Sequence, residues 1–155
     1  MKNLQLPGFV LSLFFYCGIA SAQKNIPINE PDQNKPKLFT NLPDRIPVDI
    51  SHLENLIHAE PEKDINLKLG DNNSQKFIGK VVSVANKYNN INSVVIRSSN
   101  FNGAILTLSS STKSDGTVKF TGRIISFGHG DLYELQNQND QYILIKKNFY
   151  DLINE

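Results

Sequence analysis

A short turn segment, Gly128 to Glu134, holds the densest group of side chains that could do chemistry. His129, Asp131 and Glu134 lie there between two predicted strands, and together they could bind a metal ion or act as a general acid and base. Loops held by a rigid scaffold are common places for such sites. The alternative is a turn whose His129 and Asp131 hydrogen-bond the nearby backbone, and turn chemistry accounts for every residue present. The sequence therefore favours a turn over a catalytic site.

The rest of the chain offers neither a metal site nor an assembled nucleophile. Zinc usually takes three or four protein ligands. His52 and His58 lie six positions apart on a predicted helix, which is not the i, i+4 spacing of helical zinc motifs. No Gly-x-Ser-x-Gly elbow is present. We therefore predict no metal and no cofactor.

Two arginines and two aromatic residues are candidates for binding a ligand. Arg97 and Arg123 fall inside predicted strands, where they could cap a barrel mouth and hold an anionic group. Strand alternation favours the alternative, in which both point outward into solvent. Phe101 and Tyr133 lie near strand ends and could stack on a sugar or grip a peptide. Packing of these rings within the core is the competing interpretation.

A third candidate surface follows a proline-rich segment. Residues 23–47 are rich in proline and asparagine, and their start has too few apolar residues to offset chain entropy, which predicts an extended tether. Leu38, Phe39 and Leu42 make the end of this segment more apolar. These three side chains could dock into a groove on the domain itself or on a partner protein.

The N-terminus has the pattern of a secretory signal peptide. Lys2 precedes an apolar run from Leu4 to Ile19, and Ala20-Ser21-Ala22 forms a cleavage-type end. The run is shorter than the roughly 20 apolar residues of a membrane span. We expect residues 1–22 to be removed, leaving 133 of the 155 residues. The mature protein is then exported, periplasmic or extracellular, without stable membrane insertion.

Charge and cysteine content exclude several classes of protein. The chain has 16 Lys and Arg against 15 Asp and Glu, so it lacks the basic excess with which nucleic-acid-binding proteins neutralise phosphates. Its single cysteine, Cys17, lies within the predicted signal peptide and excludes an internal disulfide framework. A domain of about 130 residues can bury a sufficient core without such crosslinks.

The elements that must position these side chains begin with a short helix. Ser51 and Glu54 fit a capping box, and apolar residues then recur at helical spacing, which predicts a helix at about 50–58. A second short helix is predicted at the C-terminus, at about 148–154. Both helices belong to a single predicted domain over 48–155.

Between the helices, the apolar pattern has a period of two. Seven short segments rich in Val, Ile, Thr, Phe and Tyr follow one another between about 64 and 146. Asn102-Gly103 and Asp115-Gly116 supply the positive φ angles that tight hairpin turns require. The predicted fold class is mostly β, an antiparallel meander that forms a small barrel or sandwich of six to seven strands.

These patterns lead to two functional hypotheses. The first is an exported, non-catalytic module that binds a protein or glycan partner, in the manner of an inhibitor or a propeptide, with no role for nucleic acid. The second is a small hydrolase or lyase centred on His129, Asp131 and Glu134. The absence of an assembled nucleophile favours the first hypothesis.

Overall fold

The computed structural model describes residues 34–70, 75–88 and 90–152. The predicted signal peptide and residues 23–33 of the predicted tether lie outside these ranges. Within them the chain forms eight strands, one α-helix and one 3₁₀ turn. In chain order these are β1 Arg45–Val48, α1 Ile50–Ile57, β2 Asp64–Lys68, β3 Lys76–Lys87, β4 Ile91–Ser98, β5 Ile105–Thr112, β6 Val118–Ile125, β7 Asp131–Gln138, β8 Gln141–Asn148 and the turn Phe149–Leu152.

The strands form one antiparallel meander in the order β1-β8-β7-β6-β5-β4-β3-β2. The sheet curls into a half-barrel, which resolves the predicted choice between barrel and sandwich. Each strand from β2 to β8 pairs with its neighbour in sequence, whereas β1 pairs with β8, so that Ile46 lies opposite Leu144. In the part of the chain that the structure describes, β1 and β2 do not pair, and each leaves one edge of the sheet free.

The structure has one or two strands more than the six to seven predicted, because β1 overlaps residues 23–47, which the sequence predicts to be a tether. Pro47 lies within β1, and proline is normally confined to strand edges. The N–H of Lys146 donates to the carbonyl of Asp44 at 2.8 Å. In an antiparallel ladder the backbone groups of alternate residues bond to the partner strand. The backbone N–H and C=O groups of Ile46 and Val48 therefore point toward β8, whereas those of Pro47 point away from it. Its missing N–H therefore costs the sheet nothing.

Helix α1 covers the inner face of the half-barrel. Leu53, Leu56 and Ile57 are its buried residues, and each buried side chain of this size contributes roughly 1.5–3 kcal/mol. The predicted capping box at Ser51 is wrong. The cap residue is Asp49, whose backbone carbonyl accepts the N–H groups of His52 and Leu53, while its side chain makes no capping hydrogen bond.

The predicted positive φ angles are confirmed at the two glycines, whereas Asn102 and Asp115 do not adopt them. Gly103 and Gly116 have φ angles of +68° and +83°, the left-handed conformation that favours glycine. Asn139 and Asp140 take positive φ angles in the β7–β8 turn. The predicted C-terminal helix is wrong in type: Phe149–Leu152 is a 3₁₀ turn, and residues 153–155 lie outside the described ranges. No helix among the described residues is long and apolar enough to cross a membrane.

Candidate functional site

His129 closes the turn between β6 and β7. Its Nδ1 atom lies 2.8 Å from the hydroxyl of Ser126, and its backbone N–H donates to the Ser126 carbonyl at 3.0 Å. Ser126 is only 2% exposed and its hydroxyl also donates to the Asn102 carbonyl at 3.3 Å. A serine enclosed in this way is poorly placed to attack a substrate, so these contacts fit a turn-forming role for His129.

Asp131 holds the segment that precedes β1. The side chain is 1% exposed, and its two oxygens accept the backbone N–H groups of Leu38 at 2.6 Å and Phe39 at 2.9 Å. Both acceptor atoms are therefore occupied by backbone donors from a distant part of the chain. This arrangement satisfies a buried carboxylate and gives Asp131 a structural task.

Glu134 lies on the opposite face of β7 from Asp131 and Tyr133, because side chains alternate along a strand. Its carboxylate lies 2.6 Å from the Lys147 ammonium, 3.1 Å from the Arg123 guanidinium and 3.1 Å from the Gln136 amide. The hydrogen bond from Lys147 is the main reason why the pKa of Glu134 is lowered. Glu134 is thus a paired anion.

The three residues of the predicted chemical cluster therefore hold three different partners. The part of the chain that the structure describes contains no group of three His, Cys, Asp or Glu side chains that could hold a metal ion. The contacts of His129, Asp131 and Glu134 are accounted for by the turn, the N-terminal segment and the outer face of the sheet respectively.

The ligand-binding candidates also have clear positions. Arg97 is exposed and lies opposite Lys80 on the outer face, while Arg123 is exposed and pairs with Glu134. Tyr133 is fully buried, its hydroxyl donates to the Pro43 carbonyl, and burial raises its pKa above the ordinary value.

The apolar candidates for partner binding are packed into the protein itself. Phe39 is fully buried, with its ring centroid 5.4 Å from that of Phe101 and 5.2 Å from that of Tyr133. Leu42 is buried and Leu38 packs against the same core. Of the two predicted docking places for this segment, the described residues show the groove on its own domain.

A different surface lies where the half-barrel remains open. We call it the seam: the cleft between the free edges of β1 and β2, with a volume of about 840 Å³. Buried apolar side chains from both edges line it on the core side, and polar or charged side chains line its rim. The core side includes Ile46, Val48 and Leu67, and the rim includes Arg45, Lys68 and Lys76.

The two edges of the seam differ in hydrogen-bonding capacity. The backbone N–H of Leu69 donates to the Gln75 carbonyl at 2.7 Å. The β2–β3 register then directs the backbone N–H and C=O groups of the odd-numbered residues of β2 toward β3. The backbone N–H and C=O groups of Asp64, Asn66 and Lys68 then face the seam, since ladder bonds alternate. On β1 the corresponding central position is Pro47, which has no N–H to offer. β2 is therefore the edge that can accept another strand.

Both ends of the seam are defined by polar contacts. At the end where β1 begins and β2 ends, the Gln75 side chain donates to the Asn41 carbonyl at 2.9 Å and bridges the two sides. At the other end, the first turn of α1 brings the His52 imidazole 3.7 Å from the Asp49 carboxylate. Between these ends, the seam is about as long as β2, roughly 17 Å for five residues.

Sequence reasoning missed the seam residues Arg45, Asn66, Lys68 and Lys76. One signal was available: the alternation Asp-Ile-Asn-Leu-Lys identifies β2 as a half-buried strand, but it does not reveal that one edge is free. The β2 edge is free because β1 pairs with β8 and not with β2. This pairing joins residues about a hundred positions apart in the sequence. No protein family model, curated protein or solved structure matches this chain.

Proposed function

We propose that this protein is an exported, non-catalytic binding module that takes up an extended segment of a partner protein in the seam. The observation that carries the proposal is the free edge of β2. Exposed edge strands pair readily with other chains, and natural proteins usually block them. Strand addition at such an edge is a recurring mode of peptide recognition, in which backbone hydrogen bonds supply affinity.

The dimensions and lining of the seam support a single added strand. A segment of four to five residues spans about 13–17 Å, which matches the lengths of β1 and β2. Ile46, Val48 and Leu67 offer apolar contacts to every second side chain of such a segment. The lining contains no Phe, Tyr or Trp ring among the described residues, which favours a peptide over a sugar that would stack on such rings.

The hydrolase or lyase alternative has less support. It requires His129, Asp131 and Glu134 to act on one substrate, whereas each makes separate contacts with Ser126, the Leu38–Phe39 backbone and Lys147. Export and signal cleavage rest on the N-terminal sequence alone.

A proline at one edge position tests the proposal. The N–H of Asn66 faces the seam, so Asn66→Pro removes a donor for the incoming strand without breaking a β2–β3 bond, and Asn66→Ala is the matched control that keeps the N–H. Peptides are selected by display on the mature chain and their affinities are measured by fluorescence anisotropy. We expect selected peptides to bind the wild type and Asn66→Ala and to lose at least tenfold in affinity for Asn66→Pro.

Two results would overturn the proposal. One is a display selection that yields no binding peptide from an extended library. The other is equal affinity for Asn66→Pro and Asn66→Ala, which would place bound peptides away from the β2 edge. Thermal unfolding of both variants verifies that each is folded at the temperature of the binding assay.

A further inference from the structure

We propose that the β2 edge selects its partner segment by charge: an antiparallel strand with an acidic residue opposite Lys68 and a basic residue opposite Asp64. This inference rests on the proposed function and names the chemical class of its ligand. The segment reads acidic, apolar, polar, apolar, basic from its N-terminus to its C-terminus.

One end of the seam concentrates positive charge. Lys68 and Lys76 are direct cross-strand partners on β2 and β3, and like charges in that position destabilise a sheet. Arg45 lines the same end from β1, where its guanidinium contacts the Gln138 amide. Among residues 34–70, 75–88 and 90–152, neither lysine has an ion-pair partner. A carboxylate placed beside Lys68 would offset this repulsion.

The opposite end of the seam carries negative charge. Asp64 begins β2, and Asp49 lies beyond the end of β1, with its side chain 84% exposed. Lys80 is opposite Asp64 across the ladder, but its ammonium lies 3.6 Å from the Glu62 carboxylate. A basic side chain on the incoming strand would meet Asp64 directly. The seam is therefore polarised along its length.

Antiparallel pairing with the polarised β2 edge sets the order of the charged residues in the bound segment. Antiparallel pairing is the more stable arrangement per residue, and β2 supplies both N–H and C=O groups at Asp64, Asn66 and Lys68. An antiparallel segment meets Lys68 first and Asp64 last, so its acidic residue must precede its basic one. Its two apolar residues then lie beside Leu67 and Ile65, which face the core.

The sequence of β2 itself, Asp64–Lys68, belongs to this class. A second copy of the chain would place Asp64 opposite Lys68 of its partner and Asn66 opposite its own equivalent. The seam, however, has β1 on its far side, and a second copy brings a whole sheet behind its β2 strand. A single segment of a partner protein suits a cleft of about 840 Å³ better.

Two peptides of identical composition test the inference. Each carries an N-terminal fluorophore and short Gly-Ser flanks; one contains Asp-Val-Thr-Val-Lys and the other Lys-Val-Thr-Val-Asp. Anisotropy titrations at low ionic strength, where screening is weak, compare the mature wild type with the charge-swapped double variant Asp64→Lys, Lys68→Glu. We expect the wild type to prefer the acidic-first peptide by about five- to tenfold, and the double variant to reverse that preference.

The outcomes separate this inference from the proposed function. Equal affinity for the two peptides, with binding still abolished by Asn66→Pro, would overturn charge selection while leaving strand addition intact. Failure of both peptides and of all display-selected peptides would overturn both. Sedimentation of the free protein completes the test, because a dimer that Asn66→Pro dissociates would assign the β2 edge to a second copy instead.

Discussion

The buried carboxylate of Asp131 accepts the backbone N–H of Phe39 across 92 positions of sequence, at 2.9 Å. Its other oxygen accepts the N–H of Leu38. This pair of bonds joins the start of β7 to the segment that leads into β1. The same segment inserts Phe39 into the core, so polar and apolar contacts fix it together. Because β1 forms one side of the seam, Asp131 contributes to the seam without lining it.

We expect Asp131→Ala to lower the free energy of unfolding by about 2–4 kcal/mol, because it leaves two N–H groups without acceptors and creates a small void. Urea denaturation at pH 7 measures the change. Asp140→Asn, at an exposed turn position with positive φ, is the control and should change stability by less than about 0.5 kcal/mol. A similar small effect of both substitutions would show that Asp131 does not hold the N-terminal segment.

Phe39→Ala should cost about 3–5 kcal/mol, since the ring is fully buried against Phe101 and Tyr133. Phe127→Ala, which truncates a ring that is 69% exposed, is the matched control. Denaturant unfolding of the two variants distinguishes a core residue from a partner-binding residue. If Phe39→Ala and Phe127→Ala are equally stable, Phe39 is free to serve as the docking side chain that its sequence context first indicated.

Local patterns in the sequence predicted most of the fold because most of its pairings are local. The seven strands from β2 to β8 follow from alternation and from glycine turns, and each pairs with a neighbour in sequence. β1 could not be predicted in the same way, because Pro43 and Pro47 make it resemble a tether. Its strand character depends on β8, which orients Pro47 away from the ladder.

The candidate site escaped sequence reasoning for a related physical reason. Side chains with catalytic potential are conspicuous in sequence, as at His129, whereas a free strand edge consists of backbone groups that every residue carries. Lys68 and Lys76 resemble ordinary solvated lysines until the β2–β3 register places them opposite each other. The turn interpretation of Gly128–Glu134, by contrast, rested on local chemistry, and the contact between His129 and Ser126 fits it.

The Tyr142 hydroxyl replaces a backbone acceptor where the β6–β7 ladder has ended. The β6–β7 ladder ends at Gly122 and Leu135, and the N–H of Phe120 donates to the Tyr142 hydroxyl at 3.0 Å. Tyr142→Phe removes that acceptor and should cost about 1–3 kcal/mol, with faster hydrogen exchange at the Phe120 amide. Native-state exchange followed by NMR measures both effects.

The control for this substitution is Tyr88→Phe, which removes the hydroxyl of a side chain that is 80% exposed. It should leave both stability and the exchange rate at Phe120 unchanged. Unchanged exchange at Phe120 in Tyr142→Phe would mean that another acceptor, such as water, already satisfies this amide.

Glu134 makes stability depend on pH in the acid range. Its pKa in the folded protein is lowered, chiefly by the hydrogen bond from Lys147, so the unfolded chain takes up a proton before the folded one does. The stabilisation is therefore complete above the ordinary glutamate pKa of 4.5 and is lost as pH falls through the lower folded value. Glu134→Gln should be less stable than wild type at pH 7, and the difference should shrink below about pH 4.

Lys147→Met tests the cause of this dependence. Without the ammonium 2.6 Å from its carboxylate, Glu134 should titrate closer to its ordinary pKa, as followed by NMR, and the acid loss of stability should become shallower. Lys119→Met, on the exposed part of β6, is the matched control and should leave the titration of Glu134 unchanged. An unchanged Glu134 pKa in Lys147→Met would assign the shift to Arg123 and Gln136 instead, the remaining donors to this carboxylate.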